Sequence, residues 1–316
     1  MAPQNCEKKN NRIREMFKKK LAETPSLKDK QTKFSWSNWS FGMEPLERSA
    51  ERLSRCGIEW IELHGNRYGD DLGYKSKEVV DILGRYNIQV AGICGMFGPE
   101  NDLASNSGRV RQAAIDYIRR QLELCHEVGG SYMLIVPGAV GRPDAYDQSE
   151  FDRSVETLRL VADEFVKAGV QGAVEGIRSV EVSIVHTLAD VIRYIEAVNS
   201  PGIQHINGDV YHMQVEESHI GEAIVAAGQR LANLHLADSN RRSLGDGSLD
   251  LDTLLMALYV IDYTEGRRFA TAEPLGPGGD PYPAMFGKPE SATLDKLVKD
   301  SAAYWREREA QIKTIS

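Results

Sequence analysis

Residues 203–238 read IQHINGDVYHMQVEESHIGEAIVAAGQRLANLHLAD and contain two short apolar runs, 203–210 and 231–238. Each run has the length of a buried strand, and a helical stretch joins the two. Each run also carries a residue type that can bind a metal at or near its end, Asp209 in the first and His235 in the second. Strand, helix and strand in this order are typical of a parallel sheet, because parallel strands need a long crossover connection.

The same alternation of β-rich runs and amphipathic stretches extends outward over the chain from Lys33. Several amphipathic stretches stop at a glycine, as at Gly57 and Gly169, which fits a left-handed helix end. The predicted strands are KFSWSNW (33–39), IEWIELHG (58–65), IQVAGICG (88–95), SYMLIVPG (131–138), VQGAVEG (170–176), IQHINGDV (203–210), LANLHLAD (231–238) and RRFATAEPL (267–275). Eight such units predict an α/β fold with a closed parallel sheet, a (β/α)8 TIM barrel.

The amphipathic stretches carry apolar residues at helical spacing and predict helices on the outside of the barrel. The clearest of them cover residues 44–56, 75–86, 110–129, 150–169 and 250–262. In addition, the two adjacent carboxylates Glu216 and Glu217 are expected to open the helix that follows the sixth strand. An open, doubly wound sheet is the alternative architecture, but no GxGxxG motif follows the first run to support it.

The chain divides by composition into an N-terminal extension, residues 1–32, and a catalytic barrel domain, residues 33–316. The extension is polar and rich in charge, with Ile13, Met16, Phe17 and Leu21 at helical spacing inside it. We predict a helical extension to the barrel, and we expect it to be a partly ordered tail. The alternative is an amphipathic helix that docks on a partner subunit.

Charge and composition limit the class of protein. A net charge of −8 and a pI near 5.5 disfavour nucleic-acid binding, and the basic cluster from Lys8 to Lys20 lies in the extension. No apolar run approaches the roughly 20 residues that crossing a bilayer requires, and no apolar signal segment opens the chain. The four cysteines show no CxxC spacing, so we expect a reduced, cytoplasmic protein.

Four residues that can bind a metal, Glu175, Asp209, His235 and Glu273, lie at or near the ends of the last four predicted strands. The C-terminal ends of barrel strands converge on one mouth, so these side chains can meet around one ion. Any one of the acids could equally form a structural ion pair or cap, and a lone histidine could belong to the core. Four in register favour a metal site, and three carboxylates with one imidazole favour Mn²⁺, or Mg²⁺ or Co²⁺, over thiolate-selected Zn²⁺.

Three motifs carry a resemblance to a known family. DVYHMQVEE (209–217) is similar to the family pattern D-x-F-H-M-x-x-E-E, LHLADSNRR (234–242) to H-x-G-E-x-N-R, and AEPL (272–275) to M-E-P-F. From Phe34 to about Ala302 the chain resembles the xylose-isomerase-like TIM-barrel superfamily, and most closely its D-tagatose/D-psicose (allulose) 3-epimerase branch.

The resemblance implies a divalent-metal-dependent sugar isomerase or epimerase that removes a proton next to a carbonyl. The four strand-end residues would hold Mn²⁺, with Glu175 and Glu273 as the catalytic acid and base working through an enediolate. His212 and Arg241 would bind the oxygens on the carbonyl side of the sugar, and Glu181 would be a further substrate-binding carboxylate. Their structural alternatives are a strand-end histidine, a solvated arginine and an acid at a helix start.

Departures from the family pattern leave the substrate open. The family carries Asn-Arg after the glutamate of the fifth strand, whereas this chain has Gly176-Ile177-Arg178-Ser179, and Asp238 stands where the family has Glu. The Gly/Pro-rich loop 276–289 could frame a larger substrate than a free ketohexose. This chain also resembles the α subunits of C-glycoside deglycosylases, which share this barrel and metal site. The main alternative is therefore a lyase that cleaves the C–C bond of a 3-oxo-C-glucoside.

Four aromatic residues near the predicted strand ends could stack on a sugar ring or an aglycone, although such residues more often pack the barrel mouth. They are Trp36, Trp39, Tyr68 and Phe97.

Other functions use the same superfamily fold. Endonuclease IV needs many histidines, whereas this chain has 7, and its acidic composition disfavours DNA. Inosose dehydratase and hydroxypyruvate isomerase share the metal-enolate chemistry, and a non-enzymatic partner-binding barrel would make the four ligands incidental. As partners we expect a small sugar or sugar derivative and a second copy of the chain in a homo-oligomer. A second, small subunit that completes the site is left open.

Overall fold

The computed structural model of the protein describes residues 5–42, 44–65, 73–274 and 290–315. Its strands form one closed, parallel barrel in which each strand pairs with the next and the last pairs with the first. The strands are β1 (Lys33–Ser37), β2 (Trp60–His64), β3 (Gln89–Cys94), β4 (Tyr132–Ile135), β5 (Gln171–Glu175), β6 (His205–Asp209), β7 (Leu231–Leu236) and β8 (Phe269–Ala272). The prediction of a (β/α)8 barrel is confirmed, and each strand lies inside its predicted run.

Helices surround the barrel. In the described residues they are α1 (Cys6–Glu23), α2 (Leu46–Arg55), α3 (Ser76–Arg85), α4 (Gly108–Glu127), α5 (Glu150–Arg159), α6 (Ala162–Ala168), α7 (Leu188–Val198), α8 (Val210–Glu216), α9 (Ile220–Ala227), α10 (Leu251–Val260) and α11 (Ser291–Ile312). Short 3₁₀ turns cover Pro25–Asp29, Asn38–Phe41 and Gly228–Arg230. None of these helices has both the length and the apolar character needed to cross a membrane.

The predicted helix over 150–169 is two helices, α5 and α6, separated by Leu160 and Val161. The second ends at Gly169, whose φ of 67° is left-handed, as the glycine at that position predicts.

The carboxylates Glu216 and Glu217 do not open a helix, and that expectation is wrong. Helix α8 starts earlier, at Val210, because the side chain of Asp209 accepts the backbone N–H of Tyr211 and caps the helix. Glu216 instead accepts the backbone N–H of Ser179, at 2.7 Å, in the loop between β5 and α7. Glu217 accepts the N–H of the first residue of α7, at 2.6 Å.

The predicted N-terminal helical extension is confirmed as helix α1, and this helix packs on the barrel instead of forming a partly ordered tail. Its apolar residues Ile13, Phe17 and Leu21 are buried, and Phe17 meets the ring of Tyr259 on α10 edge to face, at 5.8 Å between centroids. Arg12 donates to Glu222 on α9 at 2.6 Å, so α1 packs on two helices of its own barrel. The packing supplies a local apolar surface that the polar composition of residues 1–32 does not reveal. The domain boundary at residue 33 stays a prediction.

The interior of the barrel is built in layers, because alternate residues of a strand face the same side. At its N-terminal end lies an apolar floor that comprises Ala91, Tyr132, Ala173 and Phe269. The next layer is polar and consists of fully buried side chains, Glu62, Asn207, Asn233 and Thr271. Asp209, His235 and Glu273 stand two residues beyond Asn207, Asn233 and Thr271 of this polar layer, and Glu175 stands two residues beyond Ala173 of the floor. The layering places the polar side chains away from the floor and towards the C-terminal mouth.

Candidate metal centre

The four predicted ligands lie together at the C-terminal ends of β5 to β8. Glu175 and Asp209 are the last residues of their strands, and Glu273 directly follows β8. Asp209 lies opposite His235 in the β6–β7 ladder, and the backbone N–H of Glu273 donates to the carbonyl of Leu236 at 2.7 Å. The parallel register therefore brings side chains from distant parts of the sequence into one buried cluster.

His235 lies at the centre of this cluster. Its Nδ1 is 3.7 Å from Oε1 of Glu175 and 3.4 Å from Oε2 of Glu273. The side chain is 2% exposed, so its surroundings are the protein interior rather than solvent. One nitrogen facing two carboxylates in a dry site is an arrangement that a shared cation would satisfy.

The closest groupings of metal-binding side chains divide the four residues in two. One group comprises Glu62, Cys94, His235 and Glu273, and the other Glu175, Asp209 and His212, with one ligand atom of each member within 4.8 Å of the others. The contact between His235 and Glu175 joins the groups. All four predicted ligands thus belong to one continuous cluster, which also contains three residues that sequence reasoning did not name as ligands.

Glu62 and Cys94 are new members of the site. Both oxygens of Glu62 lie 3.0 Å from Nε2 of His235, and Sγ of Cys94 lies 3.9 Å from Oε1 of Glu273. Glu62 could have been found from the sequence, because a carboxylate inside the apolar run WIELH carries the same desolvation cost as Glu175. For Cys94, a single cysteine at a strand end, the sequence holds no such signal.

The carboxylates of the cluster lack strong cationic partners. Among the described residues, neither lysine nor arginine forms an ion pair with Glu175, Asp209 or Glu273. Burial raises the pKa of Glu175, and burial together with the charges of Glu62 and Asp209 raises the pKa of Glu273 to about 8. Carboxyl groups held this far from their usual range in a cleft are typical of functional sites.

The pKa values of His235 and Asp209 are also shifted by burial and by the charges of their neighbours. Burial alone would lower the pKa of His235, but the charges of Glu273 and Glu62 outweigh it and hold the pKa well above its usual value. For Asp209, burial is outweighed by the neighbouring His212 and Arg241, and the pKa is lowered. The cluster therefore attracts positive charge. Hard oxygen ligands with one imidazole fit Mn²⁺, Mg²⁺ or Co²⁺, so the residues present are compatible with a divalent ion.

The predicted substrate residues His212 and Arg241 lie beside the cluster. His212 is buried, with Nε2 3.4 Å from Oδ2 of Asp209, and its Nδ1 has no partner among the described residues. Arg241 is 4% exposed and its φ of 59° is in the left-handed region that non-glycine residues rarely occupy. Its guanidinium lies 4.1 Å from the ring centre of Tyr211, and its Nε has no acceptor in the described part of the chain. Buried donors without acceptors are groups that an oxygen-rich ligand can satisfy.

Glu181, the third predicted substrate residue, already has a partner. Its carboxylate accepts from Nε of Arg178, and Nη1 of Arg178 donates to the hydroxyl of Tyr211 at 2.8 Å. Tyr211 therefore connects Arg178 with Arg241, whose guanidinium lies over the same ring. Arg178 belongs to the segment that departs from the family's Asn-Arg pattern, and in this structure it compensates the charge of Glu181.

The aromatic residues divide between core and mouth. Trp36 is fully buried and donates to Ser40, and Phe97 is buried edge-on to Tyr117, so both pack the fold. The indole of Trp39 lies 6.0 Å from the guanidinium of Arg241, and its Nε1 has no partner among the described residues. Trp39 thus lies beside the site. Tyr68 and the loop 276–289 lie outside the described residues.

Comparison with known proteins agrees with this geometry. The L-ribulose 3-epimerase of Methylomonas sp. (strain DH-1) is 26% identical over 231 residues, which cover 72% of this chain and 78% of that protein. The 3-dehydro-D-guloside 4-epimerase of Escherichia coli (strain K12) is 26% identical over 240 residues, covering 73% and 88%. The crystal structure of D-allulose 3-epimerase from Methylomonas sp. in complex with D-allulose has a TM-score of 0.75 at 22% identity, covering 88% of this chain and 98% of that one, which is a likeness of fold.

These relatives are epimerases, which confirms the prediction of an enzyme of the isomerase or epimerase type. The family model described as xylose isomerase-like TIM barrel matches residues 50–287, which include all seven predicted site residues and exclude the N-terminal extension. The chain belongs to the xylose isomerase-like TIM-barrel family.

Proposed function

We propose that the protein is a divalent-metal-dependent epimerase that inverts a carbon next to the carbonyl of a ketose or an oxo-sugar. The observation that carries the proposal is the buried cluster at the ends of β5 to β8, in which His235 faces Glu175 and Glu273. Relatives that act on L-ribulose and on a 3-dehydro-guloside support the reaction type.

Glu175, Asp209, His235 and Glu273 would hold the ion, for which we propose Mn²⁺. A divalent cation there would polarise the substrate carbonyl and lower the pKa of the neighbouring C–H. The choice among Mn²⁺, Mg²⁺ and Co²⁺ depends on ligand type, and three carboxylates with one imidazole suit all three.

Glu175 and Glu273 would move the proton. One carboxylate takes the proton from the carbon beside the carbonyl, which leaves an enediolate, and the other returns a proton to the same carbon. Burial raises the pKa of both carboxyl groups, and an acid or base works best when its pKa is near the working pH. The substrate loses one proton and gains one, so the epimer has the same composition. The first carboxyl group ends protonated and the second ionised, and exchange of these protons with solvent restores both before the next turnover.

His212, Arg241 and Glu181 would orient the sugar. Nε of Arg241 and Nδ1 of His212, which have no partner among the described residues, suit hydroxyl and carbonyl oxygens, and they lie next to Asp209 and Tyr211. Glu181 would act together with Arg178 as an ion pair, not as a lone carboxylate.

Proton exchange in D₂O tests the proposal. The Mn²⁺-loaded protein is given L-ribulose, D-fructose or D-tagatose in one set and a 3-oxo-C-glucoside in another, with Glu273→Gln as the matched blank. We expect deuterium at the carbon beside the carbonyl and formation of the epimer, both absent in Glu273→Gln. Release of free aglycone from the glucoside would instead assign the protein to the C-glycoside deglycosylases. Failure to bind any divalent ion would refute the metal site itself.

A further inference from the structure

We infer that Glu62 is a positioning residue for His235: it holds the imidazole so that Nδ1 presents its lone pair to the cation. This inference rests on the proposed metal site. It adds a member on β2 that contacts Nε2 of His235, whereas Glu175 and Glu273 lie near Nδ1.

The contact is unusually well defined for a buried pair. Both oxygens of Glu62 lie 3.0 Å from Nε2 of His235, and both side chains are almost completely buried. Glu62 also accepts from the hydroxyl of Tyr132 at 2.6 Å and from Nδ2 of Asn233 at 3.3 Å. A carboxylate only accepts, so all three neighbours must act as donors towards it. His235 therefore carries a proton on Nε2.

A proton held on Nε2 makes Nδ1 the nitrogen that binds the cation when the ion displaces its proton, because a neutral imidazole has one donor and one acceptor nitrogen. Nδ1 is the nitrogen that faces Glu175 and Glu273. The opposite tautomer would place two acceptors, Nε2 and the carboxylate of Glu62, against each other. Glu62 thus selects the tautomer that the metal site requires.

The side-chain amides of Asn233 and Asn207, in the polar layer, extend the hydrogen bonds of Glu62 towards the metal site. Asn233 turns its amide nitrogen to Glu62, and that nitrogen also donates to Oδ1 of Asn207 at 2.7 Å. The nitrogen of Asn207 then donates to Oε1 of Glu175 at 3.1 Å and lies 3.4 Å from Nδ1 of His235. One chain of hydrogen bonds, anchored at Glu62, therefore orients two proposed ligands.

A purely structural role is the alternative. Glu62 would then only satisfy Tyr132 and Asn233 inside the barrel, and its replacement would lower stability without changing the metal site. That role explains the hydrogen bonds poorly, because a neutral side chain could satisfy both donors without the cost of burying a charge. Replacement of Glu62 should lower the metal affinity if Glu62 positions His235, and should leave the metal affinity unchanged if its role is purely structural.

The test is Mn²⁺ binding to the full chain, followed by electron paramagnetic resonance, in wild type and Glu62→Gln. Glutamine keeps the shape and removes the charge. We expect Mn²⁺ affinity to fall by about 10- to 100-fold, the usual range for the loss of a partner that orients a ligand histidine. In Mg²⁺-loaded, ¹⁵N-histidine-labelled protein, the Nε2–H proton of His235 should move upfield, because its acceptor is no longer charged.

Ser154→Ala is the matched control. Ser154 is fully buried and donates to the carbonyl of Pro137 at 2.6 Å, so this variant also loses a buried hydrogen bond, but outside the barrel. Its Mn²⁺ affinity should equal that of wild type. If Glu62→Gln does not fold, Tyr132→Phe removes one donor to Glu62 and should weaken Mn²⁺ binding, by less than the about 10- to 100-fold loss expected for the direct partner of His235. Wild-type affinity in the Glu62 or Tyr132 variant would overturn the inference, and absence of Mn²⁺ binding in wild type would overturn the proposed function with it.

Discussion

At the scale of single residues, the neighbours of each carboxylate in the site determine its pKa and its charge compensation. Glu273 lies among other acids and has a pKa raised to about 8, by burial first and then by Glu62 and Asp209. Glu181 lies beside Arg178, whose guanidinium donates to the carboxylate and compensates its negative charge. The first arrangement suits proton transfer, and the second suits binding.

Arg178→Ala should therefore affect binding more than chemistry. The guanidinium holds Glu181 and the hydroxyl of Tyr211, and without it both lose their position. For a sugar that shows exchange, we expect KM to rise about tenfold with kcat changed less than about twofold, the pattern of lost ground-state binding. Steady-state kinetics measures both constants.

Arg193→Ala is the control for this change, because Arg193 is 69% exposed and contacts Asp190 on α7 and the ring of Phe151 on α5, away from the site. It should leave both constants as they are. A fall of kcat at constant KM in Arg178→Ala would show that Arg178 acts in the proton transfer instead.

At the scale of elements, α1 is a structural part of the barrel. Phe17 is fully buried against Tyr259, whereas the adjacent Met16 is 37% exposed. We expect Phe17→Ala to lower the free energy of unfolding by about 3–5 kcal/mol, since it leaves a cavity under the helix. Met16→Ala should cost less than about 1 kcal/mol. Urea unfolding measures both, and equal, small effects would mean that α1 does not pack as described.

One partly buried arginine, Arg142, connects the loops at the mouth of the barrel. Arg142 donates to Asp102 at 2.9 Å and to Glu150 at 2.5 Å, and these carboxylates are 0% and 1% exposed. The backbone N–H of Arg142 also donates to the carbonyl of Glu181 at 3.1 Å. The loops after β3, β4 and β5 therefore share one anchor.

Arg142→Met should destabilise the fold strongly, because it leaves two buried carboxylates without their cation. We expect a loss of about 3–5 kcal/mol in the free energy of unfolding. Arg119→Met, which breaks a half-exposed pair with Glu164 on α6, should cost at most about 1 kcal/mol. Thermal unfolding at neutral pH compares the two, and similar values would contradict the role of Arg142 as an anchor.

At the scale of the whole molecule, stability, pH and metal are linked. The folded-state pKa of Glu273 is raised from 4.5 to about 8, and that of His235 is raised as well. The folded, metal-free protein therefore keeps protons that the unfolded chain releases, so its stability falls as pH rises through this window. A cation replaces these protons, so its stabilising effect should grow with pH.

The measurement is the difference in Tm between Mn²⁺-loaded and chelator-treated protein at about pH 5.5 and at about pH 7.5. We expect the larger difference at the higher pH. Asp209→Asn should reduce the difference at both values, because it removes a proposed ligand. If the Tm difference became smaller as pH rises, the prediction would be wrong, because ligands that lose protons when the ion binds must bind it more tightly at higher pH.

The sequence by itself determined the strand order, the barrel and the four residues at the strand ends. These follow from local patterns, namely apolar runs of strand length and polar residues at their ends, which short-range periodicity records. It also identified the family through three motifs that each lie within a few residues.

The tertiary structure decided which distant side chains meet. The contact of Glu62 with His235 joins β2 to β7 across the barrel, and the pairing of Glu181 with Arg178 depends on the path of one loop. The docking of α1 depends on the apolar surface of α9 and α10. Such contacts arise from barrel closure and register, which depend on packing over the whole chain and leave no periodic trace in the sequence.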